Sequence, residues 1–250
     1  MKLKNKVIIV TGGSRGIGAA CAKKATQEGA KVVIAATNIG NLEKCKAHIK
    51  ETTGADVDTL VMDVGCPKAI RKGIDEVYEK YHRVDGLVNS AGIIRRTPFL
   101  EIPEDEWKQI YDIDVMGTFI ACQQAAKYMK ENRSGSIVNI SSVLAKYPGE
   151  QMVAYNSAKA AVNMMTETMA VELGEYGIRC NCIGPGIVVT DMTSKRRSDP
   201  EAVKGWLQRI ALNRLAEAED IANMAVFMLS EEASYMSGQI VYVDGGWKSY

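Results

Sequence analysis

The 250-residue sequence holds two histidines, His48 and His82, far apart and each in a polar helical context. It has no CxxC, no HExxH and no histidine cluster, so no metal site is expected. Cys180 and Cys182 share one face of an expected strand, but nothing accompanies them that would complete a zinc set. The six cysteines lie in a long chain in which no secretory signal is read, so reduced thiols are expected. Charge of either sign is not in excess: 31 Lys and Arg stand against 30 Asp and Glu, scattered along the chain. That balance excludes a basic nucleic-acid face and an acidic tail. The first apolar run is only Val7 to Val10 before glycine intervenes, too short for a signal-peptide core. No window approaches the roughly 20 apolar residues that cross a bilayer. A cytoplasmic chain with no membrane and no nucleic-acid partner is expected. The absence of GxxxxGK[ST] excludes a P-loop ATPase.

What is present is regular alternation. Hydrophobic residues make up 46% of the chain, enough for a sizeable core. Lys6–Val10 is a continuous apolar run suited to a strand buried on both faces, and further strands are expected at Lys31–Ala35, Val57–Met62, Asp85–Val88, Ser136–Ile140, Ile178–Ile183 and Gln239–Val243. Between them lie helical patterns at Gly16–Glu28, Asn41–Thr53, Pro67–Tyr81, Glu104–Lys130, Met152–Glu175 and Glu217–Leu229. The βαβ repetition predicts an α/β fold: a single doubly wound parallel sheet with helices on both faces, over one domain spanning 1–250. No repeat or linker divides it. The least regular stretch, 189–213, holds Lys195, Arg196, Arg197 and Pro200. It reads as a lid over the substrate or as a solvated loop; its place beside the motifs below favours the lid.

Four short motifs carry chemistry. Thr11-Gly12-Gly13-Ser14-Arg15-Gly16-Ile17-Gly18 follows the first strand and opens the first helix, where free N–H groups and the helix dipole suit a pyrophosphate. Its spacing is GxxxGxG rather than GxGxxG, and a tight strand–helix turn is the plainer reading of such a loop alone. Asn89-Ser90-Ala91-Gly92 is a small-residue turn after the fourth strand. Tyr155 and Lys159 are four apart at the start of a long helix, so phenol and ammonium share one face. A tyrosine ordinarily ionises near pH 10, and an adjacent cation favours the phenolate. Ser142 ends the fifth strand, where open parallel sheets bind ligands, and could stabilise a developing alkoxide.

The order TGGSRGIG, NSAG, Ser142, YNSAK, Pro185-Gly186 with Thr190, and a closing VDGG resembles the classical short-chain dehydrogenase/reductase family along essentially the whole chain. The resemblance implies a Rossmann-like oxidoreductase acting on a secondary alcohol or ketone. It implies Tyr155 as general acid/base, Lys159 as the residue that holds the nicotinamide ribose and lowers the Tyr155 pKa, and Ser142 as the substrate-orienting hydroxyl. For the cofactor it implies Gly12, Ser14, Arg15, Ile17 and Gly18 at the pyrophosphate and ribose, and Asp63 and Val64 at the adenine. Asn89, Ala91 and Gly92 become sheet-end contacts, and Pro185, Gly186, Val188 and Thr190 the nicotinamide clamp. It also implies a homotetramer built through the long helices and the C-terminal strand. One departure stands out: where the family's fourth catalytic residue is an Asn, associated with a water that links the lysine to solvent, this chain has Asp114. A carboxylate there would raise the Lys159 pKa and offset part of the pull on Tyr155. Ser90, where the family often has Asn, is a minor departure.

The second strand ends Ala35-Ala36-Thr37-Asn38, with no carboxylate to take a ribose 2′-hydroxyl. Arg15, Thr37 and Asn38 could instead hold a 2′-phosphate, so NADP(H) is expected over NAD(H). The substrate stays open. Arg95, Arg96, Lys195, Arg196 and Arg197 would suit an anion, or are plain surface charge; Tyr147, Met152, Val153 and Met192 would suit a bulky apolar alcohol. Arg133 matches one basic position that family reductases of 3-oxoacyl carrier thioesters use beside the sheet mouth; Tyr176 does not match the other. Generic alcohol/ketone chemistry leads, with 3-oxoacyl thioester reduction or a non-catalytic dinucleotide sensor as alternatives.

Overall fold

Seven strands form one parallel sheet: β1 (Val7–Thr11), β2 (Lys31–Ala36), β3 (Asp58–Val61), β4 (Gly86–Asn89), β5 (Gly135–Ile140), β6 (Ile178–Pro185) and β7 (Ile240–Val243). They lie in the order β3-β2-β1-β4-β5-β6-β7, so the direction of winding reverses between β1 and β4. The computed structural model describes residues 1–248. Residues 249 and 250, which the one-domain expectation includes, lie outside the described part.

The sequence pattern explains the layering. β1 is buried along its whole length. Val7 and Ile9 face one core, with Ile70, Ile74 and Met129. Ile8 and Val10 face the other, with Leu42, Ile49 and Ile221. Alternate residues of a strand point to opposite faces, so an unbroken apolar run fills two cores at once. One face is covered by α1 (Gly16–Gln27), α2 (Ile39–Thr53) and α9 (Ala218–Leu229), the other by α3 (Pro67–Tyr81), α5 (Thr118–Glu131) and α6 (Val153–Leu173). In α3, Pro67 takes the first turn, where its missing N–H costs nothing, and Ile70, Ile74 and Val77 form the buried stripe. Fully burying each such isoleucine contributes about 1.5–3 kcal/mol.

Two expectations are corrected. The span Glu104–Lys130 is not one α-helix. It runs as α4 (Glu104–Tyr111), a π-helical segment (Asp112–Gly117) and α5. Its apolar periodicity continues across the break, which hides the extra winding. The stretch 189–213 is not irregular: α7 (Asp191–Arg197) and α8 (Pro200–Arg209) occupy most of it. Thr190 and Thr193 form a capping box for α7, and Asp199 caps α8 ahead of Pro200. No helix among the described residues is long and apolar enough to cross a membrane.

Candidate active site

Ser142, Tyr155, Lys159 and the glycine loop gather at the carboxyl ends of the strands, where β1 and β4 diverge in winding. A cleft there is lined by Ile17, Ser142, Tyr155, Lys159, Pro185 and Thr190, among others. Ser142 follows β5 and opens a short turn. Its Oγ accepts a hydrogen bond from the Leu144 N–H at 3.1 Å, which leaves the hydroxyl proton free to be donated elsewhere. Tyr155 and Lys159 stand one turn apart in α6, both buried. The Lys159 Nζ lies 5.7 Å from the centre of the Tyr155 ring.

Lys159 is fixed from three sides. Its Nζ donates to the Ile140 carbonyl at 3.1 Å and sits 3.0 Å from Asp114 Oδ2. Its own carbonyl accepts from Ser141 Oγ at 3.0 Å. The Asp114 carboxylate enters from the π-helical segment, and its Oδ1 accepts from the Ile93 N–H at 2.9 Å. No donor is well aligned on Oδ2, so its contact with Lys159 is chiefly Coulombic. The aspartate therefore touches the lysine directly.

The charges set the proton affinities. Burial by itself lowers Lys159, but Asp114 and then Tyr155 outweigh it, and the lysine is raised above its ordinary value. Tyr155 is also raised. Burial pushes its phenol up, Lys159 pulls it down, and Asp114 pushes it up again, with a smaller pull from Ser142. This corrects the expectation of a lowered tyrosine: the lysine's pull is real, but in a dry site it does not win.

The glycine loop forms a cradle that a side chain would fill. Gly12 has φ of 64°, and a Cβ on it would lie 2.8 Å from the Ala91 backbone. A Cβ on Gly18 would lie 2.3 Å from the Gly12 carbonyl oxygen. The loop is thus folded tightly enough to bring the free N–H groups of α1 to the cleft, which fits the phosphates of a dinucleotide. Ser14 is half-buried and Arg15 exposed; Arg15 makes only a loose pair with exposed Asp191, at 3.6 Å. Thr37 and Asn38 follow β2, but Asn38 Oδ1 is engaged in capping α2 through the Asn41 N–H. Asp63 and Val64 stand beyond the end of β3 on the same rim, and Asp63 Oδ1 accepts from the Gly65 N–H. Gly186 and Val188 line the cleft beside Pro185, and Ser90 and Gly92 line it from the β4 side.

Several expected positions differ. The Asn89 side chain turns into the core, donating to Asn139 Oδ1 at 2.9 Å, so what it offers the cleft is backbone. Ala91 contributes its backbone too, its N–H reaching Thr11 Oγ1 at 3.3 Å. Of the four apolar residues expected around a substrate, Met192 lines the cleft. Tyr147 packs with Val143 and Trp247, Met152 is buried, and Val153 borders a separate hollow with Phe99 and Pro148. Arg133 precedes the start of β5, at the opposite end of the sheet from the cleft, and donates to the Glu175 carbonyl. Cys180 and Cys182 are buried, and burial pushes both thiols up to about 12, which suits inert packing.

Sequence reasoning missed three contributors. The Ile140 carbonyl is invisible to motif reading because it is backbone. The relay from Asn89 through Asn139 to Thr166, closed by a 2.9 Å bond, ties β4 and β5 to α6. Trp206 of α8 reaches the cleft from a segment read as irregular.

A family model described as enoyl-(acyl carrier protein) reductase matches residues 12–248. The chain is 37% identical over 249 residues to the 3-oxoacyl-[acyl-carrier-protein] reductase FabG of Thermotoga maritima, covering 98% of this chain and 99% of that protein. It is 39% identical over 251 residues to the 3alpha-hydroxysteroid dehydrogenase of Mediterraneibacter gnavus, covering 100% and 99%. Among solved structures, a Beutenbergia cavernae protein provisionally named an NAD(P)-dependent gluconate 5-dehydrogenase, with NADP bound at low occupancy, superposes with a TM-score of 0.94. It shares 32% identity over 98% of each chain.

Proposed function

The chain belongs to the short-chain dehydrogenase/reductase family, and we propose that it interconverts a secondary alcohol and a ketone with NADP(H). The observation that carries this reading is the convergence of Ser142, Tyr155 and Lys159 in one cleft beside the glycine cradle. When bound, the nicotinamide supplies or accepts the hydride at the carbonyl carbon. Gly12, Ser14, Ile17 and Gly18 would hold its phosphates, and Pro185, Gly186, Val188 and Thr190 would frame the ring. Lys159, Asn89, Ala91 and Gly92 complete the set at the sheet end.

The side chains handle the proton. Ser142 donates its free hydroxyl proton toward the substrate oxygen and orients it. Tyr155, held protonated by burial, gives its proton to that oxygen as the carbonyl is reduced. Lys159 then faces the phenolate and offsets its charge, while Asp114 and the Ile140 carbonyl keep the ammonium in place. In the reverse direction Tyr155 must first lose its proton, so oxidation needs alkaline conditions.

The preference for NADP(H) rests on Arg15 in the glycine loop, on Thr37 just past β2 and on the lack of a carboxylate at the end of β2. NADP is bound in the Beutenbergia cavernae relative. α7 and α8 act as a cover, since Met192, Arg196 and Trp206 from them line the cleft. We further propose that it works in the cytoplasm as a homotetramer, the assembly that the family resemblance implies.

A second reading, reduction of 3-oxoacyl thioesters, is favoured by the likeness to FabG. Both are tested by mixing the protein with NADPH and a panel of ketones and 3-oxoacyl thioesters while following NADPH absorbance. Loss of absorbance with at least one ketone is expected. Tight NADPH binding with no turnover across the panel would favour a dinucleotide sensor instead.

A further inference from the structure

Two solvent-exposed guanidinium groups line the cleft without a counter-ion. Arg96 comes from the loop after β4 and Arg196 from the last turn of α7, and both line the cleft that contains Ser142 and Tyr155. Among the described residues, neither forms an ion pair and neither side chain donates a hydrogen bond to the protein. Arg83 and Arg214, by contrast, each fork onto an aspartate. The only other charged side chains lining this cleft, Lys159 and Asp114, neutralise each other. Asp191, on the first turn of α7, is turned to Arg15.

The two arginines are close enough to feel each other. Burial, and then the Arg196 charge, hold Arg96 below the ordinary arginine value although solvent still reaches it. Arg196 is steadied over Trp206, its guanidinium carbon 5.9 Å from the ring centre. Two like charges brought together this way repel, and folding gains nothing from them. An oxyanion placed between them removes the repulsion and receives two planar forks of donors. Ile94, Leu144, Ile187 and Met192 give the cleft an apolar stretch of wall as well.

We propose that Arg96 and Arg196 form a carboxylate-recognition site, and that the substrate is an oxo or hydroxy acid whose apolar body separates the reacting carbon from its carboxylate. This rests on the oxidoreductase reading above and narrows it. The arginines set which ketone is accepted; the proton transfer stays with Tyr155, on an oxygen oriented by Ser142.

The test pairs charged and neutral versions of one ketone. 4-Oxocyclohexanecarboxylate and longer oxo acids are each assayed beside their methyl esters, with dihydroxyacetone phosphate as a phosphate-bearing arm. The acids should exceed their esters in kcat/KM by about tenfold or more, with a KM that rises as salt is added. Arg96→Met and Arg196→Met lie on the solvent-reached rim and should leave the fold intact. Each should raise the KM of the acids about tenfold while sparing kcat, the esters and the KM of NADPH. Esters matching acids in the parent would overturn the proposal, as would variants that slow both alike or that raise the NADPH KM. Preference for the phosphorylated ketone would overturn the carboxylate assignment. Titrating the NADP⁺-loaded protein with acid and ester separates this inference from the function it rests on. An acid that binds tighter than its ester, with the advantage lost in both variants and no ketone reduced, leaves the anion site standing and removes the oxidoreductase reading. Ester turnover with no acid preference does the reverse.

Discussion

The Nζ of Lys159 lies 3.0 Å from Oδ2 of Asp114, and the two side chains are 7% and 0% exposed. A full negative charge thus stands against the cation that must balance the Tyr155 phenolate. Replacing it by a neutral isostere removes the charge but keeps an acceptor for the Ile93 N–H. Asp114→Asn should therefore keep or raise reduction at neutral pH. It should also move the alkaline limb of the rate profile to lower pH, because both Lys159 and Tyr155 lose a group that raises them. A kcat/KM–pH profile of parent and variant checks this; a collapse of activity would assign Asp114 a different role.

Removing the acceptor altogether is a different experiment. Asp114→Leu leaves the lysine charge buried and unpaired and should destabilise the fold by about 3–5 kcal/mol, read by chemical denaturation. The parent's pH dependence follows from Lys159, whose folded value is raised. Its contribution is complete below the ordinary lysine value, about 10.4, and disappears as pH rises through the higher folded value. Melting temperature should be insensitive to this pair across neutral pH and fall above about pH 10.

Tyr155 is raised chiefly by burial, so at neutral pH it carries its proton. Ketone reduction should be level through neutral pH and decline on the alkaline side, while alcohol oxidation should climb with pH. Tyr155→Phe should lower kcat in both directions by about 10²–10⁴-fold with NADPH affinity unchanged, measured by steady-state assay and fluorescence titration.

Thr37 is exposed just past β2, and no acidic side chain stands there. Thr37→Asp introduces a carboxylate that repels a 2′-phosphate and accepts from a 2′-hydroxyl. The ratio of NADPH to NADH efficiency should fall by about tenfold or more, which side-by-side kinetics would read directly. An unchanged ratio would remove Thr37 from cofactor selection.

Gly18 has no room for a methyl group, since a Cβ would meet the Gly12 carbonyl oxygen at 2.3 Å. Gly18→Ala should cost about 1–3 kcal/mol of stability and weaken NADPH binding together, because the same contact holds the loop closed. Thermal melts with and without NADPH would separate the two effects.

β1 was legible because a strand buried on both faces writes an unbroken apolar run, Val7–Val10, whereas β5 and β6 carry polar residues inside the strand and were legible from their place in the βαβ alternation. The catalytic trio was legible because Tyr155 and Lys159 are neighbours on one helix and Ser142 closes a strand. What escaped was non-local. Arg96 and Arg196 are brought together by topology, and no spacing in the chain announces it. The direct Asp114–Lys159 contact depends on a local change of helix winding that apolar periodicity averages away. The two helices after Thr190 were masked by a polar, weakly patterned composition, although their caps were present in the sequence at Thr190 and Asp199. The direction of the Tyr155 shift needed the degree of burial, which a motif does not contain.

The π-helical turn at Asp112–Gly117 has an engineering consequence. One residue of helix corresponds to roughly 100° of rotation. Deleting a single residue there, or splicing in a relative's segment one residue shorter, would swing every later position of α5 around its axis. Ile120, Ala121, Ala125 and Met129 would leave the sheet together. Chimeras through this helix should therefore be joined before Asp112 or after Glu131, never inside that span.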